Sequence, residues 1–352
     1  MLNLRQNPAQ ETNSKQVLLC GTRYGQTYLS AIDECRDFDV CALLARGSER
    51  SVRLSEQRAI PLHHRVEKIE QTVDVACVAI GGTAGSDIAA ALLERGIPVL
   101  IEHPLCGDTI SHLLNVAQAH DTLCHINSHF PLIEPIAAFI GLCQRLNSQS
   151  SPRIVHVSCN SRTLFSTLDI LMRCFGEFPD DIPTSTPVNE DGHYLNCSLA
   201  LNSIPCTLLY QRWRGPVDDS RDAPLGHEIT ITYPEGVLRL GGTFGPCQWF
   251  PLVAAGLPYH MPVYDDYGCR NNPVTNLTVI EWRKQANLQA IRALLRSGID
   301  DTTSDEYQNP AYLTRLCHHW DKWFTRLGTT TLAPDIEALK EAFTHIQAIK
   351  AM

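Results

Sequence analysis

The chain has 352 residues, 44% hydrophobic and 19% charged, a composition that excludes a disordered or fibrous protein. At about 100 to 200 residues per domain, that length favours two domains. Lys plus Arg number 29 against 38 Asp plus Glu, a net charge of −9 with no cationic cluster, so nucleic acid is not an expected partner. No run of about 18 apolar residues and no secretory leader pattern occurs, so a cytoplasmic protein without membrane association is expected. The 14 cysteines are then thiols, most of them small core residues, and none forms a Cys-x-x-Cys pair. His63-His64 and His318-His319 are adjacent pairs whose side chains diverge, while His125 and His129 have helical spacing at what reads as a strand end. No metal site is expected.

In chain order, residues 1–14 are polar and expected to fray. Strands and helices then alternate: strands over 17–20, 38–45, 73–80, 98–101 and 122–127, and helices over 26–34, 48–58, 86–95 and 108–120. Ser48 has the chemistry of a helix N-cap, and Gly96 follows its helix as a left-handed C-terminal residue. Repeated β-α units specify an α/β Rossmann domain, a doubly wound parallel sheet, over 15–130.

Beyond residue 130 the pattern changes. Helices are expected over 135–146 and 162–174, and strands over 153–159, 193–201 and 205–213. A hairpin over 228–232 and 237–240 turns through Tyr233-Pro234-Glu235-Gly236, and helices over 277–297, 309–327 and 333–351 end the chain. Residues 214–226 and 250–276, rich in Pro, Gly, Asp and Asn, read as surface loops that could form a lid. Strands in succession without helices give an α+β C-terminal domain over 131–352 with an open, mostly antiparallel sheet.

The first strand enters Cys20-Gly21-Thr22-Arg23-Tyr24-Gly25. Against G-x-G-x-x-G only Gly25 matches, which alone is compatible with an ordinary turn. Its weight comes from context, because backbone N–H groups at a helix start after a strand can hold a pyrophosphate. Gly21, Thr22, Arg23, Tyr24 and Gly25 are therefore candidate cofactor residues. The second strand runs into Ala45-Arg46-Gly47-Ser48-Glu49-Arg50-Ser51, with no acid at its end for both ribose hydroxyls. Arg46, Gly47, Ser48 and Arg50 can cradle a 2′-phosphate, which points to NADP(H); a solvated helix start is the other reading, and Glu49 is the dissenting charge.

Residues 73–105, VDVACVAIGGTAGSDIAAALLERGIPVLIEHPL, resemble the glucose-fructose oxidoreductase/inositol dehydrogenase (Gfo/Idh/MocA) family in an apolar strand, a helix ending at glycine, and a short strand running into Glu-Lys-Pro. Here that tripeptide is Glu102-His103-Pro104. The resemblance implies that it lines the nicotinamide site and that its middle residue handles the substrate proton. No lysine occurs between Lys68 and Lys284, and the family's helical histidine three residues before Asp169 is Ser166, so polyol oxidation is not the implied reaction.

One branch, the thiazolinyl imide reductases of siderophore assembly, is similar in Gly21-Thr22-Arg23-Tyr24-Gly25, in Gly47-Ser48-Glu49-Arg50-Ser51 and in Glu102-His103-Pro104-Leu105. This resemblance implies NADPH-dependent reduction of a thiazoline C=N bond to a thiazolidine, on an intermediate tethered to a carrier domain of a nonribosomal peptide synthetase. It also implies a homodimer packed through the open sheet face. His103 is the first candidate for the proton donor, with Glu102 orienting the loop or the nicotinamide ribose. A tyrosine acid of that branch falls near Phe130, and His129 is its possible substitute. Arg162, Arg173, Arg212, Arg214 and Arg270 are candidates for docking an acidic carrier domain, or are solvated charges. Two other readings stay open: another NADP-dependent reductase acting on a free sugar or tetrapyrrole, and a non-catalytic dinucleotide-sensing regulator.

Overall fold

A computed structural model describes residues 14–177, 183–188, 190, 192–214, 226–252, 264–267, 274–297, 305–331 and 344. The chain divides into two compact units, one of residues 1–129 with 280–314 and the other of residues 130–279 with 315–352.

The first unit is built on nearly uninterrupted apolar runs, which suit strands covered on both faces. β1 (Lys15–Cys20), α1 (Gly25–Ile32), β2 (Phe38–Leu44), α2 (Glu49–Arg58), β3 (Leu62–His63), β4 (Val75–Val78), α3 (Thr83–Leu93), β5 (Val99–Glu102), α4 (Gly107–Ala119) and β6 (Cys124–Asn127) follow one another. The strands form one parallel sheet in the order β3-β2-β1-β4-β5-β6. Strand order reverses beside β1, and ligands of such folds bind at the carboxyl ends of the strands there. Val17, Leu18, Val75 and Val78 are fully buried at its centre. β3, only two residues long, carries too little pattern to be read from sequence and adds an edge beside β2.

Two local departures have physical causes. α3 begins at Thr83, three residues earlier than its apolar periodicity indicates, because Gly82 (φ 69°) starts the helix and Gly85 lies against the Ile80 carbonyl. A Cβ at Gly85 would stand 1.8 Å from that oxygen, so only glycine permits the approach. At α2 the N-cap reading holds: Ser48 is extended and its hydroxyl accepts from the Ser51 amide at 3.4 Å.

The second unit contains α5 (Glu134–Asn147), β7 (Ile154–Asn160), α6 (Leu164–Phe175), β8 (Thr184–Pro187), β9 (Tyr194–Leu201), β10 (Ile204–Gln211), β11 (Trp213–Arg214), β12 (Glu228–Tyr233), β13 (Gly236–Gly241), β14 (Cys247–Pro251) and β15 (Asp265–Tyr267). Its sheet runs β15-β14-β13-β12-β7-β10-β9-β8, antiparallel except where β7 meets β10. Burial alternates along the strands: Val155, Val157, Cys206, Leu208, Ile229, Ile231, Leu238 and Leu240 are buried. α5 packs on β13 and β14, and α6 on β7. On the opposite face Arg239 bonds Glu228 at 3.0 Å and His156 lies 2.6 Å from the Thr207 hydroxyl, so that face carries paired polar groups as well as half-buried Leu209 and Val237. β15 falls within a stretch read from composition as loop; it is held as an edge strand by pairing with β14.

α7 (Asn276–Ser297), α8 (Pro310–Leu327) and β16 (Thr330–Thr331) complete the described elements. Within the first unit α7 is anchored by Arg292, which bonds Asp37 at 2.7 Å, and by an ion pair of Lys284 with Glu34. No described cysteine is in a disulfide, and no described helix is long and apolar enough to cross a membrane. The expected frayed segment up to residue 13, most of both long loops and the terminal helix expected over 333–351 lie outside the described residues.

Candidate functional site

At the end of β1, Gly21 has φ 92°, and a Cβ there would meet the Ala79 carbonyl oxygen at 2.7 Å. Gly21 is therefore the glycine that the tight turn requires, a place the motif comparison gave to its neighbours Cys20 and Thr22. Thr22 is buried and Arg23 exposed. Gly25 opens α1, whose preceding residue Tyr24 makes no side-chain cap, so the first helical N–H groups are left for another acceptor. A Cβ at Gly25, Gly81 or Gly82 would meet nothing within 4 Å, so open space adjoins both the β1 and β4 turns. A turn that needs glycine, a helix start without a side-chain cap and open space over both loops fit a dinucleotide pyrophosphate.

After β2, Gly47 has φ 83°, with the His64 ring 3.0 Å from where a Cβ would be, and His64 itself bonds the Ala45 carbonyl at 2.7 Å. Arg46, Ser48 and Arg50 are exposed here. Arg50 and Arg53 line a cleft of about 290 Å³ with Gln26, Glu49, Leu54 and Gln57. The guanidiniums of Arg46, Arg50 and Arg53 make no ion pair among the described residues. Arg53 was not singled out from sequence; its signal is the i,i+3 spacing from Arg50, which puts both on one side of α2.

β5 and β6 are neighbours, with Glu102 paired to Asn127, and their carboxyl ends assemble a cluster of polar groups. The Tyr28 hydroxyl donates to Glu102 Oε1, and Asn127 Nδ2 donates to the same oxygen at 2.7 Å and to Asn287 Oδ1 at 2.8 Å. His103 Nδ1 lies 2.8 Å from the Asn127 carbonyl; a carbonyl only accepts, so Nδ1 carries the hydrogen in that bond. The His103–Pro104 peptide is cis. His129 is buried, its ring centroid 5.9 Å from that of His103, and the Tyr24 hydroxyl reaches its ring nitrogens at 3.4 and 3.5 Å. Burial, then the Glu102 charge, keep the Tyr24 phenol protonated by raising its pKa. His125, although helically spaced from His129, is buried on β6, and burial lowers its pKa to about 4.

Burial outweighs the bonds from Tyr28 and Asn127 and pushes the Glu102 pKa up to about 7. The folded chain therefore holds this proton more tightly than the unfolded chain, whose carboxyl titrates at about 4.3. The associated stability is complete below that lower value and is lost as pH rises through about 7. Urea midpoints of the wild type are expected to fall between about pH 5 and about pH 8, and Glu102→Gln to flatten that fall. An unaltered slope in the variant would mean an ordinary carboxyl.

In the second unit the expected motif helix is α6. Asp169 is fully buried there and accepts from Arg173 Nε at 2.8 Å, so Arg173, its side chain only 8% exposed, is a structural partner and not a docking residue. Ser166, in the place of the family's histidine, is itself 2.6 Å from Nε2 of buried His227, whose Nδ1 is 3.0 Å from the Thr243 hydroxyl. An imidazole thus meets position 166 from the residue before β12, a pairing that no spacing within α6 could reveal. Arg162 and Arg212 are half-buried, the Arg214 side chain and Arg270 lying outside the described residues.

Two family models match the chain: "Oxidoreductase family, NAD-binding Rossmann fold" over residues 15–128, and "Thiazolinyl imine reductase Irp3-like, C-terminal" over residues 150–250. No curated protein sequence matches significantly. Among solved structures, a dehydrogenase from Chromobacterium violaceum is similar with a TM-score of 0.67 at 12% identity, covering 95% of this chain and 99% of its own. An oxidoreductase from Agrobacterium radiobacter, in complex with NAD+, L-tartaric acid and magnesium, has a TM-score of 0.65 at 11% identity, with coverages of 88% and 94%. Biliverdin reductase from a Synechocystis species, in complex with biliverdin and NADP+, has a TM-score of 0.62 at 12% identity, with coverages of 89% and 98%. At these identities the likeness is one of fold.

Proposed function

We propose that this chain, which belongs to the Gfo/Idh/MocA oxidoreductases and carries the C-terminal region of the thiazolinyl imine reductases, uses NADPH to reduce a thiazoline C=N bond to a thiazolidine on a carrier-tethered intermediate of nonribosomal siderophore synthesis. The observation that carries the reading is the imidazole at the end of β5. His103 stands where the sugar-oxidising relatives use lysine, its ring held by the Nδ1 bond to the Asn127 carbonyl.

The backbone of Gly21, Thr22, Arg23, Tyr24 and Gly25 would hold the pyrophosphate, and Arg46, Gly47, Ser48 and Arg50 would hold the 2′-phosphate, with Arg53 beside them. When bound, the reduced nicotinamide supplies hydride to the imine carbon. His103 Nε2 gives a proton to the ring nitrogen, completing the C–H and N–H bonds of the thiazolidine. Glu102, held by Tyr28 and Asn127, fixes the β5 end from which His103 projects. His129 stands next to His103, and the Tyr24 hydroxyl next to His129, as further proton carriers. The deciding experiment is NADPH oxidation with a carrier-bound aryl-thiazoline, followed by mass analysis. A gain of two hydrogens is expected; NADPH oxidised only with a free sugar or tetrapyrrole, or with nothing, overturns the reading.

We further propose a cytoplasmic homodimer packed through the open face of the eight-stranded sheet; a monomeric mass by light scattering at micromolar protein would contradict it. An acidic carrier domain requires a cationic landing site, and Arg162 and Arg212 are its remaining described candidates. Arg162→Glu is expected to lower kcat/KM for the carrier-bound substrate about tenfold and to leave a small free thiazoline unaffected. Equal losses on both substrates would remove the docking role.

A further inference from the structure

We propose that Glu102, His103 and His129 form a binding site for one divalent transition-metal ion of the zinc type. Each offers one ligand atom, and these atoms all lie within 4.8 Å of one another. Around a tetrahedral zinc ion with bonds of about 2.0 to 2.1 Å, ligand atoms stand about 3.4 Å apart, so modest side-chain rotations close the site. Two imidazoles and one carboxylate, with a position left for water, are the donor set of open zinc sites and of two-histidine, one-carboxylate iron sites.

The surroundings support those three ligands as well. Histidines that bind metals almost always donate the other ring N–H to a carbonyl or carboxylate, which fixes the ring and raises its basicity. His103 does this through Nδ1 to the Asn127 carbonyl at 2.8 Å. The bonds to the Glu102 carboxylate from Tyr28 and Asn127 both end on Oε1, so Oε2 is the oxygen without those donors. His129 has the Tyr24 hydroxyl at its ring edge. Glu102 closes β5 and Asn127, two residues before His129, closes the adjacent β6, so the ligands stand at the ends of paired strands. Nitrogen donors favour zinc-type ions over magnesium or calcium, which prefer oxygen. Sequence spacing gave no such indication because strand pairing, not a local motif, brings residue 129 to residues 102 and 103.

The ion would occupy the lone pair of His103 that otherwise carries the proton, so occupancy stops turnover; that consequence rests on the reading of His103 as proton donor, while the site itself does not. The test uses the full-length chain, stripped with a chelator and titrated with Zn²⁺ against a competing chromophoric chelator, without cofactor or substrate. One equivalent is expected at micromolar affinity or tighter, weakened about tenfold or more in both Glu102→Gln and His129→Asn, with folding checked by circular dichroism. His120→Asn, remote from the cluster, is expected to bind as the wild type does. Co²⁺ in place of Zn²⁺ is expected to give ligand-field bands without a thiolate charge-transfer band. Absence of stoichiometric binding, unchanged affinity in both site variants, or a thiolate band, which would place the ion on cysteines, overturns the site. A chain that binds the ion as described yet reduces no thiazoline keeps the site and loses the proposed function.

Discussion

His103→Asn is expected to lower kcat for thiazoline reduction by about two to four decades while leaving the NADPH dissociation constant unchanged. The side-chain amide of asparagine can still donate toward the Asn127 carbonyl that Nδ1 of His103 now reaches at 2.8 Å, so the β5 end keeps its shape. What is lost is a group that can surrender a proton near neutrality, since an imidazole titrates at about 6.5 and an amide does not titrate in that range. The donor must be protonated to act, so the wild-type rate is expected to decline on the basic side and the variant to lack that limb. Cofactor affinity is expected to survive because the contacts proposed for the pyrophosphate and the 2′-phosphate come from residues 21–25 and 46–50. A variant with kcat within threefold of wild type would pass the role to His129 or to Tyr24.

The second large effect concerns the choice of dinucleotide. Arg46→Ala or Arg50→Ala is expected to weaken NADPH binding by about one to two decades, because a charge-assisted hydrogen bond contributes about 1.5 to 3 kcal/mol. NADH affinity, lacking the 2′-phosphate, is expected to stay nearly constant. Neither guanidinium is committed to a carboxylate among the described residues, so neither must break an ion pair to meet the phosphate. Equal affinity of the wild type for the two dinucleotides, measured by fluorescence titration, would remove this assignment.

Most of the first unit was legible because local signals agreed: the apolar runs became β1, β4 and β5, and Ser48 caps α2 as its chemistry requires. What escaped was set by pairing over long sequence separations. The two residues of β3 have no period of their own, and β15 is a strand because β14 lies beside it. The site divides in the same way. The His103 segment and the Gly21–Gly25 and Arg46–Arg50 turns stood in local motifs, but Glu102 is met by Tyr28 from α1 and by Asn127 from the paired strand β6, and Asn127 in turn by Asn287 from α7. His227 meets Ser166 across 61 positions, and Arg173 was misjudged as a surface charge because its buried partner, Asp169, is an acid that composition alone expects to find exposed.

The first unit also has a consequence for the order in which the protein is made. Its six-stranded sheet is encoded by residue 127, but residues 280–314 belong to the same unit. Gln308 makes two bonds to the Ile126 backbone, one to its N–H and one to its carbonyl, at 3.0 Å each, and Asn287 accepts from Asn127. On the ribosome, where folding starts from the N-terminus, the nascent sheet is therefore expected to wait without these partners at the end of β6 while the whole intervening segment is translated. Until α7 and the turn after it have emerged, the backbone of Ile126 and the amide of Asn127 lack these partners, and the neighbouring imidazoles rest on an incomplete footing. The nucleotide-binding half of the chain is thus encoded first and finished late.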